Sequence, residues 1–283
     1  MNSYRFSQAA LFSILLLSHG TNAATVQPPQ AAEIKTYSYA DLADLALPAP
    51  IVAGVEVRRA KRLKGADAAS VKPGNARFYI EADVKALIRG AQGLPARVSY
   101  LADVPLDSAN RPPKLRKARM LLLASPVAGK PGELRLIAPG AQLSWTGENE
   151  ARLRSILTEA LRPGAPPRLT GVGNAFHVPG SLPDESETQI FLQTADNRPI
   201  SLSILRRPGE QPHWAVAVGD MVDDSAAPPA RDTLLWYRLA CFLPDTLPAE
   251  SVQNMDAEAA AATRADFELV RSGLGPCGRS AAP

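Results

Sequence analysis

Residues 77–89 constrain this chain more than any other stretch. Phe78, Ile80, Ala82, Val84, Ala86 and Ile88 are apolar, while Arg77, Glu81, Asp83, Lys85 and Arg89 between them are charged. A period of two puts the sets on opposite faces of a β-strand, one buried and one wet. At about 3.3 Å per residue such a strand is roughly 43 Å long. That is too long for a flat sheet in a small domain, so the sheet must twist and coil, as barrel walls do. Val84, Leu87, Ile88 and Ala91 also share a helix face. The phase set by Phe78 and Ile80 runs on without a break, which favours the strand.

The same alternation recurs at Ile51, Ala53, Val55 and Val57, and again at Val98, Tyr100, Ala102 and Val104. It breaks at Arg58-Arg59-Ala60, where a bulge would restore pairing. Strands are expected at 120–124 and 134–137, the latter prolonged by 142–145. A short helix over 37–47 has Ser38 as N-cap and ends at Pro48 and Pro50. Thr146 caps a second helix with Leu153, Ile156, Leu157 and Leu161 on one face, stopped by Arg162-Pro163-Gly164. Beyond it, 169–178 is followed by a three-strand meander over 188–194, 200–206 and 214–218. A Pro/Ala linker over 224–231 leads to an apolar helix, 234–243, capped by Asp232. A last helix runs over 249–272 and ends at Gly273.

These elements define an α+β, β-rich chain. Residues 51–163 form a coiled, antiparallel, barrel-like domain ending in a helix. Residues 164–283 form a smaller α+β domain with a meander and C-terminal helices. Residues 24–50 are a leader and short helix.

Residues 1–23 read as a signal peptide. Arg5 precedes an apolar run of about nine residues, and Thr21-Asn22-Ala23 places small residues for cleavage near Ala23/Ala24. A membrane anchor would need about 20 apolar residues, and no later stretch supplies them. The expected location is periplasmic or secreted. Cys241 and Cys277 are the only cysteines. An even count in an exported chain reads as one disulfide, worth about 3–4 kcal/mol for a loop of this length. Their spacing is not the C-x-x-C of thiol catalysis.

The formal charge of +3 hides an asymmetry. Residues 24–147 carry 18 Lys+Arg against 10 Asp+Glu; residues 148–283 carry 12 Arg, no Lys, and 18 Asp+Glu. In the basic half, Arg58, Arg59, Lys61 and Arg62, with Lys64 close behind, and Lys114, Arg116, Lys117 and Arg119, with Arg111 ahead, form two runs that a coiled sheet could bring together. Such a patch attracts polyanions with salt-dependent affinity. A nucleic-acid groove would also present aromatics for stacking. Tyr79 is the only evident outward ring, and export further disfavours nucleic acid.

The first half resembles netrin-like modules of the oligonucleotide/oligosaccharide-binding (OB) barrel type. The resemblance rests on Ala40-Asp41-Leu42-Ala43 before the strand Ile51-Val52-Ala53-Gly54-Val55-Glu56-Val57. It also rests on a second long strand ending Ala86-Leu87-Ile88-Arg89-Gly90, and on a helix after the barrel strands. It covers roughly 110 residues and implies a barrel and a general binding role. The animal members carry an N-terminal Cys and several disulfides. This half has no Cys, so metalloproteinase inhibition is not implied.

No G-x-S-x-G, H-E-x-x-H, Walker loop or Rossmann fingerprint is present. No cofactor and no metal are expected. Beyond the signal segment, His177 and His213 are the only histidines. The carboxylates Asp220, Asp223 and Asp224 suit a solvated loop better than a calcium site. The leading expectation is a soluble, exported, non-catalytic binding or adaptor protein whose basic barrel face meets an anionic envelope polymer or an acidic protein partner. The alternative is a periplasmic hydrolase with a site between the halves, built on His177, Ser181, Asp184 and His213 with nearby carboxylates. Oligomeric state is not legible.

Overall fold

The computed structural model describes residues 37–219 and 227–280. The segment read as a signal peptide lies outside the described residues, as do the leader up to 36 and Asp220, Asp223 and Asp224.

Helix α1 (Tyr39–Ala46) opens on a capping box: the Asp41 N–H donates to Ser38 Oγ and the Ser38 N–H donates to Asp41 Oδ2. Its last carbonyls, Ala46 and Leu47, accept from the Arg89 guanidinium. Strand β1 (Ile51–Arg62) then pairs antiparallel with β2 (Asn75–Arg89), the stretch that organises the sequence. β2 pairs with β3 (Arg97–Pro105). β4 (Arg119–Pro126) returns beside β1 at residues 51–56. β5 (Glu133–Leu136) is antiparallel to β4 and parallel to β3. The order β1-β2-β3-β5-β4 therefore closes on β1 as a five-stranded mixed barrel, with β6 (Gln142–Ser144) added on β4. A five-stranded barrel is what the resemblance implies. The closing contact is slight: only Ser99–Glu133 and Tyr100–Leu134 pair across β3 and β5.

Two points differ from the sequence reading of this half. Residues 142–145 do not prolong the 134–137 strand. Pro139-Gly140 breaks the chain, and β6 pairs further along β4. The barrel is mixed rather than wholly antiparallel, because β5 must run beside β3 to close it.

The barrel interior holds Val55, Val57, Phe78, Ile80, Ala82, Val98, Tyr100, Leu122 and Leu134. β4 is buried on both faces. Leu122 and Ala124 face the barrel interior, while Leu121 and Leu123 join a second core. That double burial accounts for its unbroken Leu121-Leu122-Leu123-Ala124 run, where a half-wet strand would alternate.

The second core gathers α1, helix α2 (Gly147–Leu161, N-cap Thr146), a four-stranded sheet and two C-terminal helices. The sheet is the expected antiparallel meander in the order β10-β9-β8-β7: β7 (Leu169–Pro179), β8 (Ser186–Thr194), β9 (Ile200–Arg206) and β10 (His213–Val218). Its inner face, with Ile190, Leu202, Ile204 and Trp214, shares this core with Phe267 and Val270 of α4 (Ala257–Leu274). Helix α3 (Leu234–Ala240) is buried as its apolar sequence requires. Its N-cap is Thr233, not Asp232: the Trp236 N–H donates to Thr233 Oγ1, and Asp232 takes a positive φ of 60° instead. The expected 249–272 helix is two pieces, a single tight turn (Ala249–Val252) and α4, because Asp256 caps α4 by accepting the Ala259 N–H. Gly273 does not end α4; Gly275, at φ 68°, does. Gly273 lets Trp214 lie against the helix, since a Cβ there would stand 2.8 Å from Trp214 Nε1. Cys241 and Cys277 form a disulfide with Cα atoms 4.9 Å apart. Among the described residues no helix is long and apolar enough to cross a membrane.

Candidate functional site

Beyond Glu56, β1 leaves β4 and stays paired with β2 alone. The register slips between Val57 and Arg59, the bulge expected at Arg58-Arg59-Ala60. The β3–β4 loop is drawn to that point. Val57 donates its N–H to Ala118 O at 2.9 Å, and its carbonyl accepts the Lys117 N–H at 2.8 Å. Leu115 is 6% exposed and joins the barrel core that holds Phe78. One bulge, two backbone bonds and one buried leucine thus bring the two basic runs together.

The result is an open cleft of about 740 Å³. Arg58, Arg59, Lys114 and Arg116 line it, together with Arg97, over Phe78, Ala60, Pro113 and Leu115. Glu81 is the one carboxylate in the lining. Arg97 is held by Asp83 at 3.2 Å. Among the described residues Arg58, Arg59, Lys114 and Arg116 have no ion-pair partner. Such a group of like charges raises the local potential and is relieved by a bound anion.

The other basic residues are distributed differently. Arg62 lines a second depression of about 510 Å³ with Lys64, Lys72 and Arg77, whereas exposed Lys61 lines neither and pairs with Tyr79 on the other face of the strand. Arg77 is clamped by Asp103 through bonds of 2.7 and 2.9 Å. Lys117 contributes its backbone at the bulge and is exposed. Arg119 is outside the cleft lining: its guanidinium lies 3.3 Å from the Trp145 ring centroid. Arg111 is tied to Asp107 at 3.0 Å. Tyr79 opens onto another groove of about 630 Å³ with Leu101 and Tyr100, which shares Arg77 with the second depression.

The residues of the hydrolase alternative do not converge. His177 pairs across the sheet in one row with Thr188, Ile204 and Trp214, on the face toward α4. His213 lies in the next row, on the opposite face and the far edge strand, three strand spacings or about 14 Å away. Ser181 sits in the β7–β8 turn, where its N–H donates to Glu185 Oε2. Asp184 is exposed in the same turn at φ 65°.

His177 instead belongs to a chain that no sequence motif announces. Its Nδ1 is 2.8 Å from Thr188 Oγ1, and the Thr188 hydroxyl donates to buried Asp266. Asp266 also accepts from Arg206 Nε at 2.7 Å. With its hydrogen committed to Asp266, the Thr188 oxygen accepts from His177 Nδ1–H. The signal available was Asp266 itself, a carboxylate on the buried stripe Thr263, Phe267 and Val270 of α4. Among the described residues no group of three or more His, Cys, Asp and Glu stands close enough to hold a metal ion.

No known protein family matches the sequence, and no curated protein matches it significantly.

Proposed function

We propose that the protein is an exported, non-catalytic binding protein that captures an anionic polymer in the basic barrel cleft. One observation carries this reading: Arg58 and Arg59 meet Lys114 and Arg116, more than 50 positions away, around one opening lined by a single carboxylate, with none of the four in an ion pair among the described residues. Cations used only to keep a surface soluble are better dispersed among acids. Export is supported by the signal-like segment 1–23 and by the Cys241–Cys277 disulfide, which suits an oxidising compartment. The test is equilibrium binding of the mature chain to heparin at low salt. Retention that is abolished in the Lys114→Glu/Arg116→Glu/Lys117→Glu variant, with unchanged melting, supports the reading. Absence of binding by the wild type removes it.

The hydrolase alternative draws on one observation, the Thr188–Asp266 chain that orients the His177 ring. It requires an ester- or amide-cleaving activity that the His177→Ala variant loses while folding normally. Without one it has no support.

A further inference from the structure

Resting on that reading, we infer that the ligand is an extended linear polyanion lying along the C-terminal half of β1, recognised by its repeated charge rather than by its rings. The cleft does not end at the bulge. Arg58 to Ala60 line the first opening, and Arg62 to Lys64 line the second, two residues further along the same strand. The strand carries this far because the Leu63 N–H still donates to Arg77 O at 2.8 Å, past the last β1 residue. From Arg58 to Lys64 the track is roughly 20 Å long at about 3.3 Å per residue. Among the described residues Arg62, Lys64 and Lys72 in the second opening have no ion-pair partner, like the cations of the first.

A compact anion would occupy one opening and leave the other uncompensated. A chain of phosphate or sulfate groups reaches both. Rings have little platform here: Phe78 is 5% exposed in the cleft floor, and Tyr79, beside Lys61, is the one exposed ring on β1 and β2. Recognition by stacking, which serves single-stranded nucleic acids, draws on successive rings, and a single tyrosine does not supply them.

The experiment is calorimetric titration of the mature chain with tripolyphosphate and with long-chain polyphosphate, affinities expressed per phosphate. Heparin fragments of graded length form a second arm that separates a sulfate source from a phosphate source. Long polyphosphate or long heparin should bind at least about tenfold more tightly per anionic group than its short counterpart, because the second opening adds contacts at high effective concentration. The Arg62→Ser/Lys64→Ser/Lys72→Ser variant should bring the long chain down to the short one and leave the short one unchanged. Equal affinity for short and long chains in both arms overturns the inference, leaving the cleft as a small-anion pocket. Failure of every chain length to bind overturns the proposed function itself.

Discussion

Arg119 belongs to the same basic run as Arg116, yet the two have different work. Arg119 stacks on Trp145, a contact worth about 0.5–2 kcal/mol. Arg119→Ala should lower stability by about that amount in chemical denaturation and leave polyanion affinity nearly unchanged. Arg116→Ala should do the reverse. Sequence alone could not divide them, because the partner, Trp145, is reached only through the β4–β6 pairing. Thr188 makes the opposite point. It looks like an ordinary strand threonine, but its hydroxyl is the one link between His177 and Asp266. Thr188→Val keeps the shape and removes a hydrogen bond from a buried carboxylate. It should cost about 1–3 kcal/mol in urea unfolding.

At the scale of elements, local signals were legible wherever a strand or helix has one wet face. β2 was readable because its outer residues are charged, and Ser38 and Thr146 cap helices as their types predict. Reading failed where two signals competed. Asp232 and Thr233 are both good caps, and only the chain's approach selects Thr233. The Ala-rich run around Asp256 favours helix throughout, so the break there rests on the cap and not on propensity. Gly273 looks like a terminator in sequence because glycine usually ends helices; in the fold it makes room for an indole. Gly273→Ala should therefore destabilise, although alanine is the better helix former by about 1 kcal/mol. Its Cβ would meet Trp214 Nε1 at 2.8 Å. A net loss of about 1–3 kcal/mol, with a shifted tryptophan emission, is the expected result.

Across the whole molecule, long-range register was the part hidden from sequence. Nothing local says that β5 runs parallel to β3, or that Arg97 joins the basic cleft. Both follow from how the barrel closes. Helix α1 and the residues beyond Cys277 are likewise joined only in three dimensions. Arg279 bonds to Asp44 and Ser280 to Asp41, so the C-terminal tail beyond the disulfide is fastened to α1. Burial opposes ionisation of Asp41, but hydrogen bonds from Ser280 and Ser38 outweigh it and hold the carboxyl below the usual aspartate range. A carboxyl lowered on folding stabilises above its unfolded pKa and loses that contribution as pH falls through the folded value. Thermal stability should therefore decline as pH drops below about 4. Asp41→Ala should flatten that acid limb and cost about 0.5–2 kcal/mol at neutral pH, since the capping box goes with it.

The central claim is that unpaired cations, brought together by the bulge in β1 and the loop pinned to Val57, form a polyanion site. The most direct measurement is the salt dependence of long-chain polyphosphate binding to the mature protein. If the seven unpaired cations of the two openings are engaged, the association constant should fall by roughly 5 to 6 powers of ten for each tenfold rise in salt. The slope should shrink by about one for each of Arg58, Arg59, Lys114 and Arg116 changed to Ser. Binding that is insensitive to salt, or a slope those substitutions leave unchanged, would contradict the account.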